Sequence, residues 1–116
     1  RCKKVYPFRS FLNAGLRLAG ASDGPIESQD VLHAIQCCVT REGFETHESI
    51  KLEEAIRMYT IDAAFAQFEE DIKGSITPGK RADLVILRQD PFAVKPDGIK
   101  DIEVMSTFAA GKRVEF

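Results

Sequence analysis

Ile72-Lys-Gly-Ser-Ile-Thr-Pro-Gly-Lys-Arg-Ala-Asp-Leu-Val-Ile-Leu87 decides how this chain reads. Gly74 breaks the chain after a polar helical stretch. Thr77-Pro78-Gly79 fits a type II turn, because proline fixes φ at the second position and glycine accepts positive φ at the third. Ala82 to Leu87 is a nearly continuous apolar run of β-formers. It is expected as a strand buried on both faces, with Ser75 to Thr77 as its antiparallel mate across the turn.

Downstream, Gln89 to Gly98 is a loop with Pro96-Asp97-Gly98 as a turn. Glu103 to Ala109 and Lys112 to Phe116 read as a hairpin across Ala110-Gly111. Upstream the period is helical. Pro7 to Ala14 is a short helix with proline in its first turn and Gly15 ending it. Leu16 to Ala21 is a strand candidate, and Ser22-Asp-Gly-Pro25 a loop.

A helix is predicted over Asp30 to Arg41, with Val31, Leu32, Ile35, Cys38 and Val39 on one face. Ser28 or Asp30 is placed to cap it. Gly43 to Ser49 is a polar connector. Leu52, Ala55, Ile56 and Tyr59 mark a second amphipathic helix. Thr60 is expected to cap a third, Ile61 to Phe68, in which Ala63, Ala64 and Ala66 allow close packing. Helices thus fill the first two thirds and strands the last third. So few strands leave edges that partner strands or a second copy would cover.

The 116 residues suffice for one small domain, and 44% hydrophobic with 29% charged residues is ordinary for a globular chain. A net charge of −2 gives no electrostatic case for nucleic acid or a membrane surface. No apolar run approaches the ~20 residues of a membrane span. No secretory signal is seen. Cys2, Cys37 and Cys38 read as reduced thiols, so a cytoplasmic setting is expected. They lack the C-x₂₋₄-C spacing of a zinc site. The chain starts at Arg1, which is read as a fragment, a processed product or a trimmed chain.

The run Gly74-x-Ile76-x-Pro78-Gly79-Lys80-x-Ala82-Asp83-Leu84-Val85-Ile86-Leu87 resembles the segment with which metal-dependent amidohydrolases leave a catalytic barrel for a small β domain. Tyr6 to Pro25, with its Ser22-Asp23-Gly24-Pro25 motif, resembles the end of the barrel in amidohydrolase family 3. Cys38-Val-Thr-Arg41 continues the likeness at the helix end. Many relatives have alanine where Gly24 stands.

The resemblance implies an α+β fragment: residues 1–72 as the last elements of a (β/α)₈ barrel, and 73–116 as part of a composite β-sandwich. It implies a parent that hydrolyses a small amide or cyclic amide with a divalent metal, zinc being the expected one. Asp23 matches the aspartate after the eighth strand, at the face where barrel active sites lie. There it would be general base, and a metal ligand only with upstream donors. By its four residues alone, Ser22 to Pro25 is ordinary turn chemistry, in which aspartate bonds backbone two residues on.

His33 and His47 match no ligand position of the family and read as surface or partly packed side chains. Glu53-Glu54 and Glu69-Glu70-Asp71 read as solvated helix faces or helix starts. The chain alone is expected to be inactive and to hold no zinc, since one carboxylate does not hold the metal. The other reading is a non-catalytic binding or assembly module, using its bare strands and amphipathic helices.

Overall fold

The computed structural model describes residues 5–115. Cys2 and Phe116 lie outside them. The fold is α+β: helices α1 (Phe8–Asn13), α2 (Val31–Thr40), α3 (Leu52–Met58) and α4 (Ile61–Ala66) precede strands β1 (Leu84–Leu87), β2 (Val104–Ala109) and β3 (Lys112–Val114). Short 3₁₀ turns at Arg41–Gly43 and Thr46–Glu48 fill the expected connector, and a third covers Pro96–Asp101. Among the described residues, no helix is long and apolar enough to cross a membrane.

Local chemistry explains the helix ends. Asp30 caps α2 by accepting the His33 N–H at 3.0 Å, and Ser28 Oγ accepts the Asp30 N–H at 3.2 Å. Asp30 is therefore the cap, and Ser28 braces the cap residue without bonding a helix N–H. Gly15 follows α1 at φ +78, the left-handed conformation that glycine adopts without penalty. Thr60 departs from expectation. Its hydroxyl donates back to Ile56 O at 2.8 Å, so it caps no N–H of α4.

The apolar face of α2 packs as its spacing predicts. Ile35 and Cys38 are buried with Ile50, Ala55, Met58 and Ile99, while Leu32 and Val39 pack against them half-buried. Val31 stays exposed. Ile99 comes from the Pro96–Asp101 turn and is the best-buried large side chain, at 1% exposure. Gln36 Oε1 accepts the Lys100 N–H at 3.1 Å beside it, tying α2 to the strand region.

The sheet is antiparallel, in the order β1-β2-β3. Leu84 pairs with Phe108, Val85 with Thr107 and Ile86 with Ser106, before an irregularity shifts Leu87 onto Val104. The β2–β3 hairpin turns at Ala110 and Gly111, both at positive φ (49° and 78°), as a two-residue turn requires. The Lys80 N–H donates to Thr77 O at 3.1 Å and Gly79 stands at φ +92, so the Thr77–Lys80 turn forms as read.

Three expectations about strands need correction. Ser75 to Thr77 is not a strand, and β1 pairs with the distant β2. Leu16 to Ala21 joins no ladder; Leu16 N–H to Phe11 O at 3.1 Å, Gly20 N–H to Met58 O at 2.9 Å and Arg17 beside Asp62 at 3.3 Å tie it to the helices. A strand needs a neighbour, and the described residues offer it none. Finally, β1 is not buried on both faces: Val85 is 55% and Ile86 48% exposed, and Val104 and Met105 on β2 are also open.

Candidate functional site

Asp23 sits where the extended Leu16–Ser22 segment ends and a turn begins. Its φ of +52 lies in the left-handed region. Aspartate tolerates that region better than most residues, and such outliers concentrate at functional sites. Its carbonyl accepts the Ile26 N–H at 3.0 Å, closing the turn. The Ser22 hydroxyl accepts the Gly24 N–H at 3.3 Å. The local turn bond anticipated for the aspartate is thus made by Ser22. No hydrogen bond of the Asp23 carboxylate is found among the described residues, and the residue is solvent-exposed.

Contacts on this segment and on the preceding α1 hold the region on the helices. One is at Gly20. A Cβ there would meet the Tyr59 ring at 2.5 to 2.7 Å, so backbone and ring are in direct contact. Another is the network under α1. Arg9 grips Glu54 with both terminal nitrogens, at 3.0 and 2.6 Å, and Glu54 also accepts the Lys51 N–H at 2.7 Å. Buried Glu48 accepts the Ser10 N–H at 2.9 Å and the Ser10 hydroxyl.

These donors hold both carboxyls below the usual range. The Ser10 hydroxyl is the main cause at Glu48, and Arg9 at Glu54. Of the two sequence readings of Glu54, a solvated face or a helix start, the helix start holds: it lies in the first turn of α3 and also clamps Arg9.

Asp83 is another carboxylate that the sequence reading left without a role. Its Oδ1 accepts the Ala110 N–H at 2.8 Å and its Oδ2 takes Arg81 Nε at 2.8 Å. Arg81 first, then the backbone bond, lowers its pKa. It pins the hairpin turn onto the entry to β1, with Gly111 N–H to Ala82 O at 2.9 Å beside it.

The histidines stand apart from Asp23. His47 Nδ1 lies 3.3 Å from Glu45 Oε2 on the surface. His33 Nε2 lies 3.3 Å from Glu42 Oε1, and Cys37 Sγ 3.6 Å from the same oxygen. Burial, then Glu42, raises the Cys37 thiol above its ordinary value; burial pushes Cys38 up to about 11. Sequence reading treated His33 and Cys37 separately. Their spacing of four residues, which stacks two side chains on one helix face, was the available signal.

Residues 1–115 match the family model described as "Amidohydrolase family". The N-substituted formamide deformylase of Arthrobacter pascens is 35% identical over 113 residues, covering 93% of this chain and 21% of that protein. YtcJ of Bacillus subtilis (strain 168), described provisionally as an amidohydrolase, is 32% identical over 122 residues, covering 98% of this chain and 23% of that protein. The crystal structure of an amidohydrolase from Thermotoga maritima MSB8 superposes with a TM-score of 0.69 at 26% identity, over 90% of this chain and 24% of the other. The chain therefore spans less than a quarter of the length of these proteins.

Proposed function

Since the chain belongs to the amidohydrolase family, we propose that it is the C-terminal part of a metal-dependent hydrolase that cleaves a non-peptide C–N bond in a small amide-type substrate. Residues 1–72 then complete a (β/α)₈ barrel and 73–116 contribute strands to a composite β domain. The observation that carries this reading is Asp23. Asp23 is exposed, and it follows a segment of strand composition that joins no ladder among the described residues. An exposed carboxylate after such a segment supports reading it as a group at the C-terminal end of a barrel strand.

The chain does not by itself make a metal site there. Among the described residues the cluster of three possible donors is His33, Cys37 and Glu42, and Asp23 is not in it. A divalent metal of the parent, zinc being the expected one, would rest on upstream ligands, and no step at that metal is derived from this chain. The role assigned to Asp23 is proton transfer. Its carboxylate accepts a proton from the attacking water and returns it to the departing nitrogen, a contribution of about 10² to 10⁴ in rate. Gly20 and Ser22 are positioning residues: one fixes the segment against Tyr59, the other shapes the turn.

The open face of β1 and β2 favours a covering partner. In this reading the rest of the β domain covers it; in the binding-module reading a different protein does. The test compares the 116-residue chain with the longer polypeptide that carries it, using N-substituted formamides and other small amides. The longer protein is expected to hydrolyse one of them and the chain alone none. Turnover by the chain alone would overturn the division of labour, and inertness of a metal-loaded longer protein across all amides would overturn the reaction class.

A further inference from the structure

We propose that His33, Cys37 and Glu42 form a second metal site, for zinc or a cation of its class, separate from Asp23 and against the expectation that the chain alone holds no zinc, which counted Asp23 as its one donor. The three donor atoms, one from each residue, lie within 4.8 Å of one another. His33 and Cys37 stand one helical turn apart on the same face.

Glu42 reaches them because the chain reverses sharply after α2. Arg41, Glu42 and Gly43 have φ values of 55, 48 and 83 in succession. Two consecutive non-glycine residues in the left-handed region are costly, and here they fold the Glu42 carboxylate back toward the helix. The 3₁₀ turn is supported by Thr40 Oγ1, which accepts the Glu42 N–H at 3.1 Å.

The spacing suits a tetrahedral ion. Bonds of ~2.0 to 2.3 Å to nitrogen, oxygen and sulfur place ligand atoms ~3.3 to 3.6 Å apart. The observed separations from Glu42 Oε1 are 3.3 Å to His33 Nε2 and 3.6 Å to Cys37 Sγ. The third edge, His33 to Cys37, lies within 4.8 Å. One coordination position then faces solvent, since the His33 and Glu42 side chains are 42% and 60% exposed.

The mixed donor set selects the cation. Thiolate and imidazole suit zinc and cobalt, whereas calcium and magnesium prefer oxygen. On binding, the Cys37 S–H bond breaks, its proton leaves to solvent, and a metal–sulfur bond takes its place.

The site is tested by titrating Co²⁺ into the reduced 116-residue chain. Uptake of one equivalent with a thiolate-to-cobalt charge-transfer absorption is expected, reversed by Zn²⁺. Cys37→Ser should abolish the absorption and His33→Ala should weaken binding at least ~10-fold. Asp23→Asn and Cys2→Ser should leave the absorption in place, which separates this site from the proposed catalytic group and from the N-terminal thiol. In the unaltered chain, Zn²⁺ should slow alkylation of Cys37, read by peptide mass mapping. An absorption that survives Cys37→Ser, no absorption at all, or Cys37 alkylation indifferent to Zn²⁺ would each overturn the proposal.

Discussion

Replacing Gly74 by alanine should cost far more than replacing Gly79, although both glycines flank the same signature and share nearly the same φ, +91 and +92. At Gly79 nothing lies within 4 Å of an added Cβ. Only backbone strain remains, ~1 to 2 kcal/mol for an L-residue in the left-handed region. The reduced freedom of the unfolded chain returns ~0.4 to 1 kcal/mol, leaving a net loss near ~1 kcal/mol.

At Gly74 the added Cβ would meet Ala64 Cβ at 2.8 Å, Ile61 Cα at 3.0 Å and Thr60 O at 3.2 Å. Two of these are backbone atoms and the third is a methyl fixed to α4, so none can swing away. Forcing them apart adds an overpacking cost of ~1 to 3 kcal/mol. Gly74→Ala should therefore lose ~2 to 4 kcal/mol, with the excess over Gly79→Ala coming from packing alone. Urea unfolding followed by circular dichroism measures both, and each 1 kcal/mol shifts the midpoint by roughly 0.3 to 1 M. Equal losses at the two glycines would refute the claim that the chain passes this close to α4.

Other consequences follow from the same contacts. Ile99→Ala empties the best-buried large side chain and should lower stability by ~2 to 5 kcal/mol in the same assay. Gly20→Ala should push the Tyr59 ring aside, lowering the urea midpoint by an amount equivalent to ~1 to 3 kcal/mol; an unchanged midpoint would mean the segment is not docked on Tyr59. Glu48, Glu54 and Asp83 have pKa values held below those of the unfolded chain, so they stabilise the fold when ionised. That stabilisation is complete above the unfolded values, 4.5 for glutamate and 3.8 for aspartate, and is lost as pH falls through the lower folded values. The thermal midpoint should accordingly drop below about pH 4.5, and Glu54→Gln should flatten that drop.

The features legible in the sequence are those set by neighbours along the chain. The Thr77–Lys80 turn, the Ala110–Gly111 hairpin and the Asp30 cap each depend on two to four consecutive residues, and all three form. What sequence could not locate depends on distant partners. Leu16 to Ala21 has strand composition but no ladder, and β1 has the apolarity of a buried strand without the cover.

Side-chain roles were hidden for the same reason. Glu54 meets Arg9 across 45 residues and Asp83 meets Ala110 across 27. Glu42 reaches His33 and Cys37 through a reversed backbone that no helical period encodes. The proposed role of Asp23 rests on its motif's likeness to a family. Its four residues by themselves describe a turn, and a turn is also what they form.

The most direct test of the account is kcat of the longer polypeptide with Asp23 replaced by asparagine, measured at saturating zinc. Asparagine keeps the shape and removes the basic carboxylate. The account predicts a loss of about 10² to 10⁴ in kcat with an unchanged unfolding midpoint. Wild-type kcat in the Asp23→Asn protein would contradict the assignment of proton transfer to this residue.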